Sequence, residues 1–247
     1  MARFIVSRLF CAFREVRFMM TTRNGGASSS PYGMNTSFKV GDDPANVRAN
    51  RRRLFEQVNI TEEKLAIPQQ VHGARVQFAP RPGLYERTDA LVTSHLDVYL
   101  FVTIADCIPL FLFDPASRSV AAIHAGWRGC AEGIVREAVI RTCSDCSAIP
   151  ESMLAFVGPS ARSCCYEVGA EVAELFDARF LSHGATGRMH LDMVSHSVSL
   201  LLSAGLREPN IEVSPYCTIC NPRLFHSYRR DREKSGRTMA LIGLANR

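Results

Sequence analysis

Lysine is scarce in this 247-residue chain. Only Lys39, Lys64 and Lys234 stand among 29 basic residues, so arginine carries almost all the positive charge behind a formal net charge of +5. Arginine grips phosphates and carboxylates through a planar fork. The bias therefore points to anionic ligands, although genome composition produces the same excess. No basic run is interleaved with aromatics, which speaks against a nucleic-acid face. No apolar stretch approaches the ~20 residues that span a bilayer. Nor does a signal-like segment open the chain, because MARFIVSRLFCAFREVRF alternates apolar and polar residues and is broken by Arg every few positions. The nine cysteines are odd in number, and with no secretory signal they do not read as a disulfide framework. The expectation is a reducing cytoplasm, with neither membrane nor nucleic acid as partner. The 47% hydrophobic content can bury a large core. One large domain or two small ones would fit that length, and no linker favours two.

What the chain does contain is organised around 98–129, VYLFVTIADCIPLFLFDPASRSVAAIHAGWRG. Two β-branched and aromatic runs, Ile108–Phe113 and Ser119–Ile123, are joined by a Pro-containing turn, the signature of a hairpin. If Asp114 faces Ser119, then Cys107 falls opposite Gly126 and diagonal to His124. A thiol and an imidazole would then share one face, since diagonal neighbours lie within roughly 7–8 Å. A one-residue slip would separate them.

In chain order, residues 3–20 read as two strands, followed by the turn-rich loop TTRNGGASSSPYG. That loop holds Arg23, which is either an anion contact or an ordinary solvated arginine. After Gly41, an Asp cap, Pro44 and apolar Val47, Leu54, Phe55 and Val58 predict a helix. Its Arg48, Arg51, Arg52 and Arg53 form a solvated face, unless one turns inward to a phosphate. The alternation in IPQQVHGARVQF predicts a strand carrying His72. DALVT and Val98–Ile104 read as further strands. A helix opens after the glycine-rich HAGWRG turn, with Ala131, Ile134, Val135, Ala138 and Val139 as its stripe, and such a turn exposes N–H groups that favour anions. Trp127, the only tryptophan, reads as a core plug or as a stacking surface, the plug being the default. Next come a strand at Ser152–Gly158, a helix at Ala170–Phe180, and a helix at Asp192–Ala204 with Leu200, Leu201 and Leu202 inside. Strands at Leu224–Arg229 and Thr238–Leu244 flank a turn at Glu233–Gly236. The adjacent Cys164 and Cys165 read as buried small hydrophobes, or else one of them is reactive.

Two constellations could bind metal. The pairs Cys143/Cys146 and Cys217/Cys220 suggest a four-thiolate zinc site, but their separation of more than 70 residues lies far outside zinc-ribbon spacing. The trio His72, Cys107 and His124 is the better candidate. One thiolate and two imidazoles suit a tetrahedral zinc with an open fourth position, where a bound water ionises near pH 7. Without metal, Cys107 and His124 would form a nucleophile pair.

Beyond these readings, the chain resembles the YfiH-like family of polyphenol oxidoreductase, or laccase-domain, proteins, which is linked to purine nucleoside metabolism. The matching motifs are TTRNGG at 21–26, GDDPANVRANRRRL at 41–54, QVHG at 70–73, DALVT at 89–93, ADCIPL at 105–110, HAGWRG at 124–129, GPSARSCCYEVG at 158–169, CTIC with FHSYRRD at 217–231 and GRTMALIGL at 236–244. They run nearly end to end. Departures are small: the family usually carries Gly-Pro where Arg162-Ser163 stand and Leu-Asn-Leu where Met34-Asn35-Thr36 stand.

The resemblance implies a single α+β domain over 1–247, a layered α/β/β/α arrangement of mixed sheets flanked by helices, related to a group of cysteine hydrolases. It implies His72, Cys107 and His124 as ligands of zinc, or alternatively of copper. Arg23 matches an arginine that looks functional in relatives, as a phosphate or ribose contact, and Asn35, Trp127 and Arg128 are the further substrate-binding expectations. Asp106 is expected in an acid–base role or as an orienter of the ligand beside it. The implied chemistry is phosphorolysis of adenosine, inosine and methylthioadenosine, together with zinc-dependent deamination of adenosine. A multicopper oxidase site needs many histidines in H-x-H pairs, and this chain has seven histidines and no such pair. A lone copper in the trio could still support phenol oxidation. A Cys-His hydrolase, including a cell-wall precursor editing amidase, and a non-catalytic metal-binding module are the remaining alternatives.

Overall fold

The computed structural model describes residues 4–184 and 187–246. In chain order the strands are β1 (Phe4–Ile5), β2 (Val16–Thr21), β3 (Leu65–Pro68), β4 (Val76–Phe78), β5 (Gly83–Tyr85), β6 (Ala90–Thr93), β7 (Tyr99–Ile104), β8 (Ile108–Asp114), β9 (Ser119–Ala125), β10 (Leu154–Val157), β11 (Glu167–Val168), β12 (Leu181–His183), β13 (Met189–Leu191), β14 (Ile211–Val213) and β15 (Thr238–Leu244). The helices are α1 (Pro44–Val58), α2 (Trp127–Ala131), α3 (Ile134–Cys146), α4 (Ala170–Ala173), α5 (Met193–Ser203) and α6 (Tyr228–Asp231). Two six-stranded mixed sheets, ordered β1-β2-β15-β7-β3-β5 and β14-β10-β8-β9-β6-β4, form the centre, with a small sheet β11-β13-β12 beside them.

Strand periodicity explains the layering, because successive side chains point to opposite faces. On β8, Phe111 and Phe113 join Phe18, Leu100, Val102 and Ile242 in a core between the two large sheets. Leu110 and Leu112, on the opposite face, pack with Ile134, Val135 and Ala138 of α3 and Val194 and Leu201 of α5. On the outer face of the first sheet, Tyr99, Phe101, Met239 and Leu241 meet Leu54, Phe55 and Val58 of α1. With both faces covered, the central strands read as unbroken apolar runs rather than alternating ones. The result is the expected α/β/β/α stack. Truncating Phe111 or Phe113 to alanine would cost about 3–5 kcal/mol.

Helix α1 begins as expected, with the Asp43 side chain accepting from the Ala45 N–H and Pro44 in the first turn. Other expectations shift. The strands expected over 3–20 are β1 and β2, with a 3₁₀ turn at Phe10–Ala12 between them, and residue 3 lies outside the described residues. The segment around His72 is not one strand, since β3 ends at Pro68, β4 begins at Val76, and His72 sits in the intervening loop at φ 63°. Gly133, at φ 88°, divides the expected helix after HAGWRG into α2 and α3, and Ala131 is exposed. Only Ala170–Ala173 of Ala170–Phe180 is α-helical, and a 3₁₀ turn occupies Ala178–Phe180. Leu201 is buried but Leu202 is exposed, because three consecutive residues cannot share one helix face. Leu224–Arg229 is not a strand; it leads into α6, which is capped by the Ser227 hydroxyl. Cys164 is exposed and Cys165 only half-buried, so neither is a core residue.

Candidate active site

Strands β8 and β9 pair with Asp114 opposite Ser119, Pro109 opposite His124 and Ile108 opposite Ala125. Continued by one residue, this register sets Cys107 against Gly126 and diagonal to His124, as the turn chemistry implied. His72 arrives from the β3–β4 loop. One donor atom from each of His72, Cys107 and His124 lies within 4.8 Å of the others. The two imidazole rings stand edge to face, with centroids 4.7 Å apart.

Asp89, immediately before β6, fixes this geometry. Its Oδ1 meets His124 Nδ1 at 2.7 Å and accepts the His72 N–H at 2.9 Å, while its Oδ2 accepts the N–H groups of Val71 and Gly73 at 3.1 and 2.9 Å. One buried carboxylate thus folds the His72 loop and orients the His124 ring, leaving Nε2 as that ring's free nitrogen. Burial would raise the Asp89 carboxyl, but the His124 and N–H hydrogen bonds outweigh it and hold it below the usual carboxylate range. Sequence reasoning missed Asp89, reading it only as the start of a strand. Burial likewise opposes ionisation of Cys107, yet attraction to His124 and hydrogen bonds with both histidines bring the thiol down to about 6. The reciprocal attraction of Cys107 and the bond to Asp89 overcome burial at His124 and lift it to about 9.

The residues fit a thiophilic cation. Two imidazole nitrogens and an ionised sulfur converge, a carboxylate orients one imidazole from behind as outer partners of metal sites do, and three protein ligands leave a position open. Gly126 keeps the space clear, since a Cβ there would come within 3.2 Å of His72 Cδ2 and 3.3 Å of Cys107 Sγ.

The trio opens on a cavity of about 770 Å³, large enough for a nucleoside with phosphate. Trp127, half-buried rather than a core plug, forms part of its wall with the Arg128 guanidinium 4.2 Å above the ring. Tyr166 and Arg229 face it as another stacked pair, 5.2 Å from guanidinium to ring centroid. Burial and the neighbouring Cys107 push the Tyr166 hydroxyl up to about 12, so it stays protonated. Arg51 turns inward from α1 to line the cavity, held by the Thr36 carbonyl and Glu62. Asp106 also lines the cavity, but its carboxylate is engaged by the Thr218 hydroxyl at 2.6 Å, the Ser227 hydroxyl at 3.0 Å and the Arg229 N–H at 2.6 Å.

Two expected substrate contacts do not line the cavity. The Arg23 guanidinium donates to the carbonyls of Pro222 and Pro31 at 2.8 and 2.7 Å, so it braces two loops. Asn35 is fully buried, its amide donating to the Ser37 carbonyl and Asp42 carboxylate and accepting the N–H groups of Ser37 and Arg237. Arg229, Arg237 and Tyr166 line the cavity instead. Their motifs, FHSYRRD, GRTMALIGL and CCYEVG, were visible in the sequence, but nothing in it showed which way they faced.

A family model described as multi-copper polyphenol oxidoreductase laccase matches residues 17–245. A purine nucleoside phosphorylase of Deinococcus radiodurans is 39% identical over 231 residues, covering 92% of this chain and 88% of its own. The purine nucleoside phosphorylase YlmD of Bacillus subtilis is 34% identical over 248 residues, covering 94% and 89%. Among solved structures, YlmD from Geobacillus stearothermophilus superposes with a TM-score of 0.90 at 31% identity, over 97% of this chain and 94% of that one. No helix among the described residues is long and apolar enough to cross a membrane. In sequence and in fold, this chain belongs to the YfiH family of laccase-domain proteins.

Proposed function

We propose that this chain is a purine nucleoside phosphorylase acting on adenosine, inosine and methylthioadenosine, with an accompanying adenosine deaminase activity. The observation that carries the reading is one cavity in which a cation-binding trio, aromatic walls and several arginines converge. Trp127 and Tyr166 offer surfaces for a purine ring. The Arg229 guanidinium makes no hydrogen bond among the described residues and only stacks on Tyr166, so with Arg128 it is the group available to an incoming phosphate. In phosphorolysis a phosphate oxygen attacks C1′, the glycosidic bond breaks, and the base leaves with the bonding pair and takes up a proton. The arginines hold phosphate beneath the sugar so that the reaction becomes effectively intramolecular. Asp106, engaged by three donors, acts as a positioning residue that fixes the Arg229 backbone. Zinc held by His72, Cys107 and His124, with copper as the alternative, would supply Lewis-acid chemistry and the water activation that deamination requires.

The test is purified protein with adenosine, with and without phosphate. Adenine formed only with phosphate supports phosphorolysis, and inosine formed without it supports deamination. Absence of both products overturns the proposal.

A second reading draws on the Cys107–His124–Asp89 alignment, which has the geometry of a nucleophile, a base and its orienter. A metal-independent hydrolase of this kind, such as an amidase, would keep its activity under chelation and lose it on alkylation of Cys107.

A further inference from the structure

Cys217 and Cys220 do find two thiol partners, but not Cys143 and Cys146. The loop after β10 and the segment after β14 are bridged in parallel at Ser160 and Cys217, where the Thr218 N–H donates to the Ser160 carbonyl at 2.9 Å. A turn at Arg162, whose carbonyl accepts the N–H groups of Cys165 and Tyr166, then swings Cys164 and Cys165 over the C-x-x-C segment. The sulfurs of Cys164, Cys165, Cys217 and Cys220 all lie within 4.8 Å of one another. Cys220 is 3.5 Å from Cys164 and 3.0 Å from Cys165.

We propose that these four cysteines form a second, structural zinc site, one that clips the loop before Tyr166 to the loop after Cys217. A tetrahedron with Zn–S bonds near 2.3 Å has S···S edges of about 3.8 Å, so small adjustments of these side chains would close the cage. A disulfide needs only two sulfurs, at about 2.05 Å, and would leave the other two converging on nothing. The set is closed, with four protein sulfurs and no side chain lining the cavity, as structural sites are. Both clipped loops feed the active site. Tyr166 follows Cys165 into the cavity wall, and Thr218 follows Cys217 to grip Asp106.

This inference does not depend on the proposed nucleoside chemistry. Protein kept reduced, loaded with excess zinc and desalted should carry two zinc ions per chain by elemental analysis. Cys164→Ser/Cys220→Ser, which alters two exposed residues, should carry one and melt at lower temperature. His72→Ala/His124→Ala should also carry one. Cobalt substituted into that histidine variant should show the charge-transfer absorption of several thiolates. One zinc per wild-type chain, lost with the histidines and kept by the serine variant, would overturn the proposal. So would a Cys165–Cys220 disulfide in zinc-loaded protein. A wild-type count of two supports the proposal even if a variant does not fold.

Discussion

Asp89→Asn is the most discriminating change at the site, because it alters charge and hydrogen bonding while barely changing shape. The carboxylate serves four donors, two on each oxygen. An amide has one oxygen. Placed toward His72 and His124, it turns its own N–H₂ against the N–H groups of Val71 and Gly73. Two part-buried donors then lose their acceptors. Because Val71 is exposed and Gly73 half-buried, water offsets part of the loss, and global stability should fall by about 1–3 kcal/mol. Exchange of the carboxylate behind His124 for a neutral amide should also weaken zinc binding 10–100-fold, equivalent to about 1.4–2.8 kcal/mol. Zinc competition against a chromophoric chelator, run on folded protein, measures the second effect, and urea unfolding measures the first. Asp114→Asn is the control. Asp114 is equally buried and bonds Ser152 and Ser117 at the far end of the same hairpin. It should cost stability and leave zinc affinity unchanged. Zinc affinity in Asp89→Asn within twofold of wild type would refute the role given to Asp89 as orienter of the site.

Three further outcomes follow from other groups. Chelation should expose Cys107 to iodoacetamide and zinc should protect it, read by peptide mass; equal labelling in both states would mean that the thiol is not a ligand. Arg229→Gln should raise KM for phosphate about tenfold or more with little change in Tm, whereas Arg23→Gln should lower Tm with phosphate KM unchanged, and steady-state kinetics with melting would expose the reverse pattern. His226 is buried with neither ring nitrogen partnered, and burial followed by repulsion from Arg23, Arg237 and Arg230, against attraction from Asp231, lowers it to about 3. Its native form is neutral, while the unfolded chain takes up a proton below pH ~6.5, so stability should fall by about 1.4 kcal/mol per pH unit between pH ~6.5 and ~3; His226→Asn should remove about 2 kcal/mol of the loss between pH 7 and pH 5, and an unchanged slope in urea titrations would contradict this.

The residues of the site differ in how far they could be read from sequence, and for physical reasons. Cys107 and His124 were legible because a short turn fixes hairpin register and the two-residue period then dictates which side chains share a face. His72 was legible as a candidate ligand, from the donor set it completes with Cys107 and His124 and from the family resemblance, but not in its conformation. Its positive φ depends on a carboxylate 17 positions away in sequence, and no local periodicity reports that. The fate of Cys217 and Cys220 turned on which distant thiols would meet them. The bridge at Ser160 and Cys217 chose Cys164 and Cys165, whereas Cys143 and Cys146 stay at the end of α3. Arg23 was left open between two readings for the opposite reason. A glycine-rich loop can bring an arginine to a ligand, but here two carbonyls take its guanidinium first.

Two aspartates divide the work of building the cavity. Asp89 gathers the N–H groups of Val71, His72 and Gly73 with the His124 ring, and so shapes the half that holds the trio. Asp106 gathers Thr218, Ser227 and the Arg229 N–H, and so shapes the half that holds Arg229. His72 and Asp106 themselves stand at φ 63° and 91°, conformations that cost on the order of 1–3 kcal/mol each and persist only where surrounding bonds over-determine them. In both places those bonds run through an aspartate carboxylate. Cys107, directly after Asp106, is therefore held from both sides: the hairpin register sets its face, and the Asp106 anchor fixes the chain entering it. A carboxylate with three or four donors is poorly suited to carry protons. These aspartates are better understood as the framework that lets a thiol, two imidazoles and the arginines meet in one cavity.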